Sequence, residues 1–117
     1  RFRCMRPPDD RALLEDMLEH TRRALEAVTG RTREEIVEDD LLAAALERFV
    51  EVIGEAASKV SQPTRQSLPE IPWREIIGMR NRLAHGYGSI DRGIVWDVVE
   101  LDLPELQVVL RRIPGDS

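Results

Sequence analysis

The stretch Thr32–Val60, TREEIVEDDLLAAALERFVEVIGEAASKV, decides the fold. Within it Leu42, Leu46, Phe49, Ile53, Ala56 and Val60 step by four, three, four, three and four residues, which puts them on one face of a helix. A second apolar row, Leu41, Ala45, Val52 and Ala56, widens that stripe enough to bury against a bundle and against a second subunit as well. Gly54 and Ala57 carry so little side chain that another helix can approach closely. Thr32-x-x-Glu35 reads as a capping box, so the pattern predicts one long helix from near Thr32 to about Val60. The acidic run Glu38-Asp39-Asp40 is then an exposed turn of that helix or a docking point for a basic partner surface.

Flanking segments repeat the helical period. Leu14, Met17/Leu18, Thr21, Leu25 and Val28 predict a helix from about Asp10 to Val28, with Asp9 or Asp10 as N-cap and Gly30 as its stop. His20, among Glu19, Arg22 and Arg23, falls on a solvated face. Ser61 to Pro72 holds three prolines and reads as a connector with room for one short helical turn. Trp73 to His85 is the next helix, entered through Pro72, with Gly86 placed for a left-handed cap. Beyond the turn Tyr87-Gly88-Ser89, Asp91 caps a helix carrying Ile94, Val95, Val98 and Val99. Pro104 predicts a break there, with Asp102-x-x-Glu105 re-capping a last helix through Ile113. No strand alternation is present, so the chain reads as all-α, an up-and-down bundle of four to five helices. Its organisation is an N-terminal extension (1–8), a helical domain (9–113) and a short tail (114–117).

Composition narrows the function. The 117 residues suit one domain that buries roughly two-thirds of its unfolded surface. A single cysteine, Cys4, excludes an internal disulfide framework and a multi-cysteine zinc site, and two histidines, His20 and His85, argue against a histidine-rich metal cluster. No metal and no cofactor are expected. No apolar run reaches the length of a membrane span and no signal peptide is visible, so the expectation is a soluble, cytoplasmic protein without a membrane partner. The net charge of −5 excludes a globally basic nucleic-acid binder.

One helix carries an anomaly. At 100° per residue, with Ile76 at zero, Trp73, Ile77, Leu83 and Ala84 form the apolar stripe of the Trp73–His85 helix, and Arg80 falls at about 40°, inside it. A guanidinium there pairs with a core carboxylate, extends its head to water, or faces a cleft. His85 lies about 140° away, on the polar side with Arg74, Asn81 and Arg82. It is either a C-terminal cap that favours the helix dipole or part of a site, with Asn81 in reach of the imidazole and Tyr87 beside it.

Met79-Arg80-Asn81-Arg82-Leu83-Ala84-His85-Gly86-Tyr87 resembles the Arg-x4-His-x-Tyr motif of HepT-like toxins, members of the HEPN superfamily of helical ribonucleases and nucleotide-associated domains. The flanks resemble it too: Ile53-Gly54-Glu55-Ala56-Ala57, Pro69 through Asn81, and Val95-Trp96-Asp97 through Asp102-Leu103-Pro104-Glu105-Leu106. The resemblance implies a dimeric HEPN-like fold and a metal-independent endoribonuclease of a prokaryotic toxin–antitoxin system. Its products are a 2′,3′-cyclic phosphate and a 5′-hydroxyl end. It assigns catalysis to Arg80 and His85, with Asn81 and Arg82 supporting; either Arg80 or Arg82 contacts the scissile phosphate. An imidazole moves protons near neutral pH and a guanidinium stabilises phosphoryl charge, which suits the residue types. Because Arg80 and His85 do not share a face, either the terminal turn bends or residues of two subunits meet in one cleft. The segment Trp73–Arg92 carries four arginines against two carboxylates, so a two-fold groove would attract RNA.

The resemblance further implies a cognate MntA-like nucleotidyltransferase antitoxin that neutralises the toxin by transferring AMP onto the motif tyrosine, Tyr87. Read without it, Tyr87 is a hydrogen-bonding turn residue. A rival reading keeps the fold and drops the chemistry: a non-catalytic nucleotide- or partner-binding subunit of a nucleotidyltransferase complex, in which Arg80 and His85 only hold phosphate. A purely structural dimer leaves Arg80 unexplained.

Overall fold

The computed structural model describes residues 9–85 and 92–113, with His85 described by its backbone alone. The predicted roles of Gly86, Tyr87, the Tyr87-Gly88-Ser89 turn, Asp91 and Cys4 lie outside the described residues. All regular structure among the described residues is helical: α1 (Asp10–Val28), α2 (Arg33–Glu38), α3 (Asp40–Lys59), α4 (Gln62–Ser67), α5 (Trp73–His85), α6 (Arg92–Asp97), a π-helical turn (Val98–Asp102) and α7 (Leu103–Arg112).

Helix α1 begins where the Asp9 carboxylate accepts from the Ala12 N–H at 2.8 Å, and the chain leaves it through Gly30 at φ 75°, a conformation that a side chain disfavours. Its inward face is Leu13, Leu14, Met17, Thr21, Ala24 and Val28; Leu18 and Leu25 flank the core. Asp10, at the first turn, accepts from the Ser61 N–H and from the Ser61 and Thr64 hydroxyls, which ties the start of α1 to the start of α4. Those three bonds hold the Asp10 carboxyl below its ordinary pKa.

The predicted Thr32–Val60 helix is two helices. The Thr32–Glu35 capping box forms, with both bonds at 3.1 Å, but Asp39 adopts extended geometry (φ −100°, ψ 108°) and ends α2. Its carboxylate then accepts from the Leu41 and Leu42 N–H groups at 3.0 Å and opens α3. The acidic run is therefore a cap, and Asp40 meets a basic group within the chain, Arg92, at 2.8 Å. The break lets Ile36 enter the core while α3 lies along α1.

In the connector, Arg65 on α4 donates to the Ala57, Ser58 and Val60 carbonyls, satisfying the end of α3. The Pro72 carbonyl accepts from the Ile76 N–H and starts α5. Residues 92–112 form one continuous helical run; Pro104 produces a π turn rather than a break. A proline lacks an N–H and its ring crowds the carbonyl four residues back. Widening the turn relieves this, and Leu103 bonds five residues back to Val98. Asp102 is helical there and makes no side-chain cap bond, contrary to the expected re-capping.

Helix α1 packs on α3 and α7, α3 on α5, and α2 on α3 and α6. Met17, Ile36, Leu46, Ile53, Ile71, Val95 and Val99 are fully buried between them, at about 1.5–3 kcal/mol each for the larger side chains. The second row of α3 is covered unevenly: Ala56 is buried in the core, Ala45 and Val52 are half-buried, and Leu41 is 84% exposed. His20 is half-buried rather than solvated, with its ring 6.3 Å from Phe49 and Nδ1 donating to the Asp16 carbonyl.

Candidate functional site

The contact between α3 and α5 is centred on Gly54. A Cβ at that position would lie 2.2 Å from Arg80 Cβ and 2.9 Å from the Ile76 carbonyl oxygen, so the helices meet backbone to side-chain root. This is the close approach that the small residues predict. It brings the next residue of α3, Glu55, against the guanidinium of Arg80. Arg80 Nε donates to Glu55 Oε2 at 2.9 Å, Nη2 donates to the same oxygen, and Nη1 donates to Asn81 Oδ1 at 3.0 Å. Lys59 approaches the other Glu55 oxygen at 3.5 Å. Hydrogen bonding to Arg80 holds the Glu55 carboxyl below its ordinary pKa; partial burial opposes this, and the charges of Arg80 and Lys59 reinforce it.

Arg80 therefore sits within the apolar stripe because a carboxylate from a neighbouring helix meets it there. Of the open readings, pairing is the one realised, although the pair is not sealed: the Arg80 side chain is 28% exposed and that of Glu55 41%. Asn81 and Arg82 are exposed on α5, and position 85 closes the helix one turn beyond Asn81. The structure thus brings Arg80 and Asn81 together directly, places Arg82 on the outer surface, and carries His85 on the same helix.

The charge count along Trp73–Arg92 does not survive as a single patch. Glu55 faces Arg80, and Arg92 is drawn to the α2–α3 junction, where it donates to the Val37 carbonyl at 2.7 Å and pairs with Asp40. Arg74 and Arg82 remain on the outer side of α5 without an ion pair among the described residues. Sequence reasoning missed Glu55 as the partner of Arg80. The available signal was its place beside Gly54, the one residue of α3 that permits α5 to come so near.

Depressions flank α5 on more than one side. An apolar one of about 160 Å³ lies among α3, α5 and the π turn, lined by Val50, Ile53, Ile76 and Met79, with Glu75 and Asp102 among its polar lining residues. Burial raises the Asp102 pKa, and the charges of Glu105 and Asp97 add to the rise. Another is an open groove of about 590 Å³ between α4 and α5. Among the described residues no group of three His, Cys, Asp or Glu side chains is placed to hold a metal ion, and no helix is long and apolar enough to cross a membrane.

The family described as "Ribonuclease HepT-like" matches residues 17–113. A protein of Caldanaerobacter subterraneus subsp. tengcongensis named "Putative RNase TTE0752" is 34% identical over 103 residues, covering 88% of this chain and 92% of that protein. One of Thermococcus cleftensis named "Probable ribonuclease HepT" is 38% identical over 96 residues, covering 79% of this chain and 87% of that protein. No solved structure matches the chain. With all regular structure among the described residues helical, and with the family match extending over residues 17–113, this protein belongs to the HepT-like family of the HEPN superfamily.

Proposed function

We propose that this protein is a metal-independent endoribonuclease, the toxin of a prokaryotic toxin–antitoxin pair. The observation that carries the reading is the fixed guanidinium of Arg80. Three of its five N–H donors are engaged by Glu55 and Asn81, which sets its plane. The other two are the donors a phosphate oxygen would take, as a planar fork suited to developing phosphoryl charge. His85, at the end of α5, supplies the group that moves a proton near neutral pH. In the reaction the 2′-hydroxyl attacks the adjacent phosphorus, its proton passes to a base, and the P–O5′ bond breaks. A proton is delivered to the departing 5′-oxygen, leaving a 2′,3′-cyclic phosphate and a 5′-hydroxyl. Asn81 orients Arg80, and Arg82 gathers the strand.

The active unit is a homodimer in which the two motifs face one groove; the exposed Leu41, with Ala45 and Val52 half-buried on the same row of α3, supports a contact surface there. The antitoxin is an MntA-like nucleotidyltransferase that transfers AMP from ATP to the Tyr87 hydroxyl with release of pyrophosphate. Added nucleotide phosphates would compete for the cations of the groove. Mass spectrometry of Tyr87 after incubation with that partner, Mg²⁺ and ATP tests this part, and an unmodified tyrosine contradicts it. The cleavage itself is tested on the ends of the products. A 3′-terminal cyclic phosphate that opens on acid treatment is expected, whereas a 3′-hydroxyl would refute the in-line scheme.

One observation favours a second reading, the non-catalytic nucleotide- or partner-binding subunit: Arg80 already has a carboxylate partner in Glu55. In that case the wild type binds nucleotide or RNA and cuts nothing.

A further inference from the structure

Gly78 lies in the interior of α5, where a glycine weakens a helix relative to alanine. At Gly54 packing explains the missing side chain; at Gly78 it does not, since a Cβ there would meet nothing within 4 Å among the described residues. Gly78 lines the open groove between α4 and α5. Gln62, Arg65, Gln66, Trp73, Arg74 and Asn81 complete most of the lining, and among the described residues no carboxylate contributes. In a chain with 22 acidic residues and a net charge of −5, that groove is locally cationic. Its aromatic is held in place. Trp73 Nε1 donates to the Leu68 carbonyl at 3.1 Å, and the Arg65 guanidinium carbon stands 5.9 Å from the ring centroid. Along α5 the groove residues Arg74, Gly78 and Asn81 step by four and three, so they share one face of the helix, and position 85 is the next on that face by backbone register.

We infer that this groove is a subsite for the single-stranded RNA flanking the cleaved phosphate. The strand lies against the bare backbone at Gly78, Arg74 takes a phosphate, Trp73 offers an apolar platform, and the exposed amides of Gln62 and Gln66 meet base edges. The inference rests on the ribonuclease reading for its ligand. It extends that reading from the reacting atoms to the nucleotides on one side of them.

The test is fluorescence anisotropy with a labelled 2′-O-methyl oligouridine twelve-mer, which has no 2′-hydroxyl and cannot be cut by in-line attack. Wild type is compared with Gly78→Gln, Arg74→Ala and Gln62→Ala/Gln66→Ala. The expected result is about tenfold weaker binding for Gly78→Gln, with a melting temperature equal to or above that of wild type because a helix glycine has been removed. Arg74→Ala should also lower the slope of log affinity against log salt by about 0.7, the signature of one lost phosphate contact on a single strand. Wild-type affinity and salt slope in all three variants would overturn the inference while leaving cleavage untouched. Sedimentation of the same samples supplies the other arm: variants that lose self-association but keep RNA affinity would assign the groove to a second copy of the chain and overturn it equally. A wild type that binds the uncleavable strand through these residues, yet cuts no RNA, would retain the subsite and refute the nuclease.

Discussion

The Cβ of Arg80 stands 2.2 Å from the point that a Cβ on Gly54 would occupy. That distance is impossible for two side-chain roots, and the Ile76 carbonyl, 2.9 Å away, is backbone and cannot swing aside. Gly54→Ala must therefore push α5 off α3. The expected cost is about 1–3 kcal/mol, typical of overpacking a helix contact, seen as a fall of several degrees in melting temperature. RNA cleavage should fall with it, because the displacement separates Arg80 from Glu55.

Glu55→Gln isolates the ion pair from the packing. The pair is partly exposed, so its loss should cost no more than about 1 kcal/mol near neutral pH. The folded carboxyl titrates below its ordinary value of 4.5. Its contribution is present above that value and is lost as pH falls through the depressed folded value. Thermal melts of wild type and Glu55→Gln should accordingly differ at pH 7 and converge in acid. A difference that persists unchanged at low pH would refute the assignment.

Asp102 works in the opposite sense. Its folded pKa is raised above 3.8, first by burial and then by Glu105 and Asp97. The fold favours the protonated form, so the destabilisation sets in as pH rises past the ordinary value and is complete above the folded one. Asp102→Asn should raise the melting temperature at pH 7 and change little in acid, a pattern that melts at the two pH values would show directly.

Thr21 is fully buried on α1, and its hydroxyl has no hydrogen-bond partner among the described residues. Thr21→Val replaces that hydroxyl with a methyl of similar shape. Removing the unmet desolvation should stabilise the fold by about 1 kcal/mol, readable as a shift of the denaturation midpoint without a change in its slope.

The fold was most legible where local chemistry and periodicity agree. Asp9 and Gly30 bound α1, and Pro72 opens α5, at the predicted places. The α2–α3 break was hidden because Asp39 sits inside a compatible helical pattern and acts as a cap only through its side chain. Asp102-x-x-Glu105 imitates a capping box, but the π turn relieves Pro104 without ending the helix. At the site, Arg80 was visible as a charge out of place. Its partner was not, since Glu55 lies 25 residues away on another helix and only the packing at Gly54 brings them together. The cation count along one segment failed for the same reason: carboxylates from α3 answer Arg80 and Arg92 from outside that segment.

Arg80 and His85 are the residues proposed to perform the chemistry. The measurement is cleavage of a single-stranded RNA by the purified, unmodified protein in EDTA, comparing wild type with Arg80→Ala and His85→Ala. Wild type should cut without metal, and each variant should lose at least about 100-fold in rate while its helical circular dichroism is unchanged. A folded wild type that leaves RNA intact, or variants that cut as wild type does, would contradict that assignment.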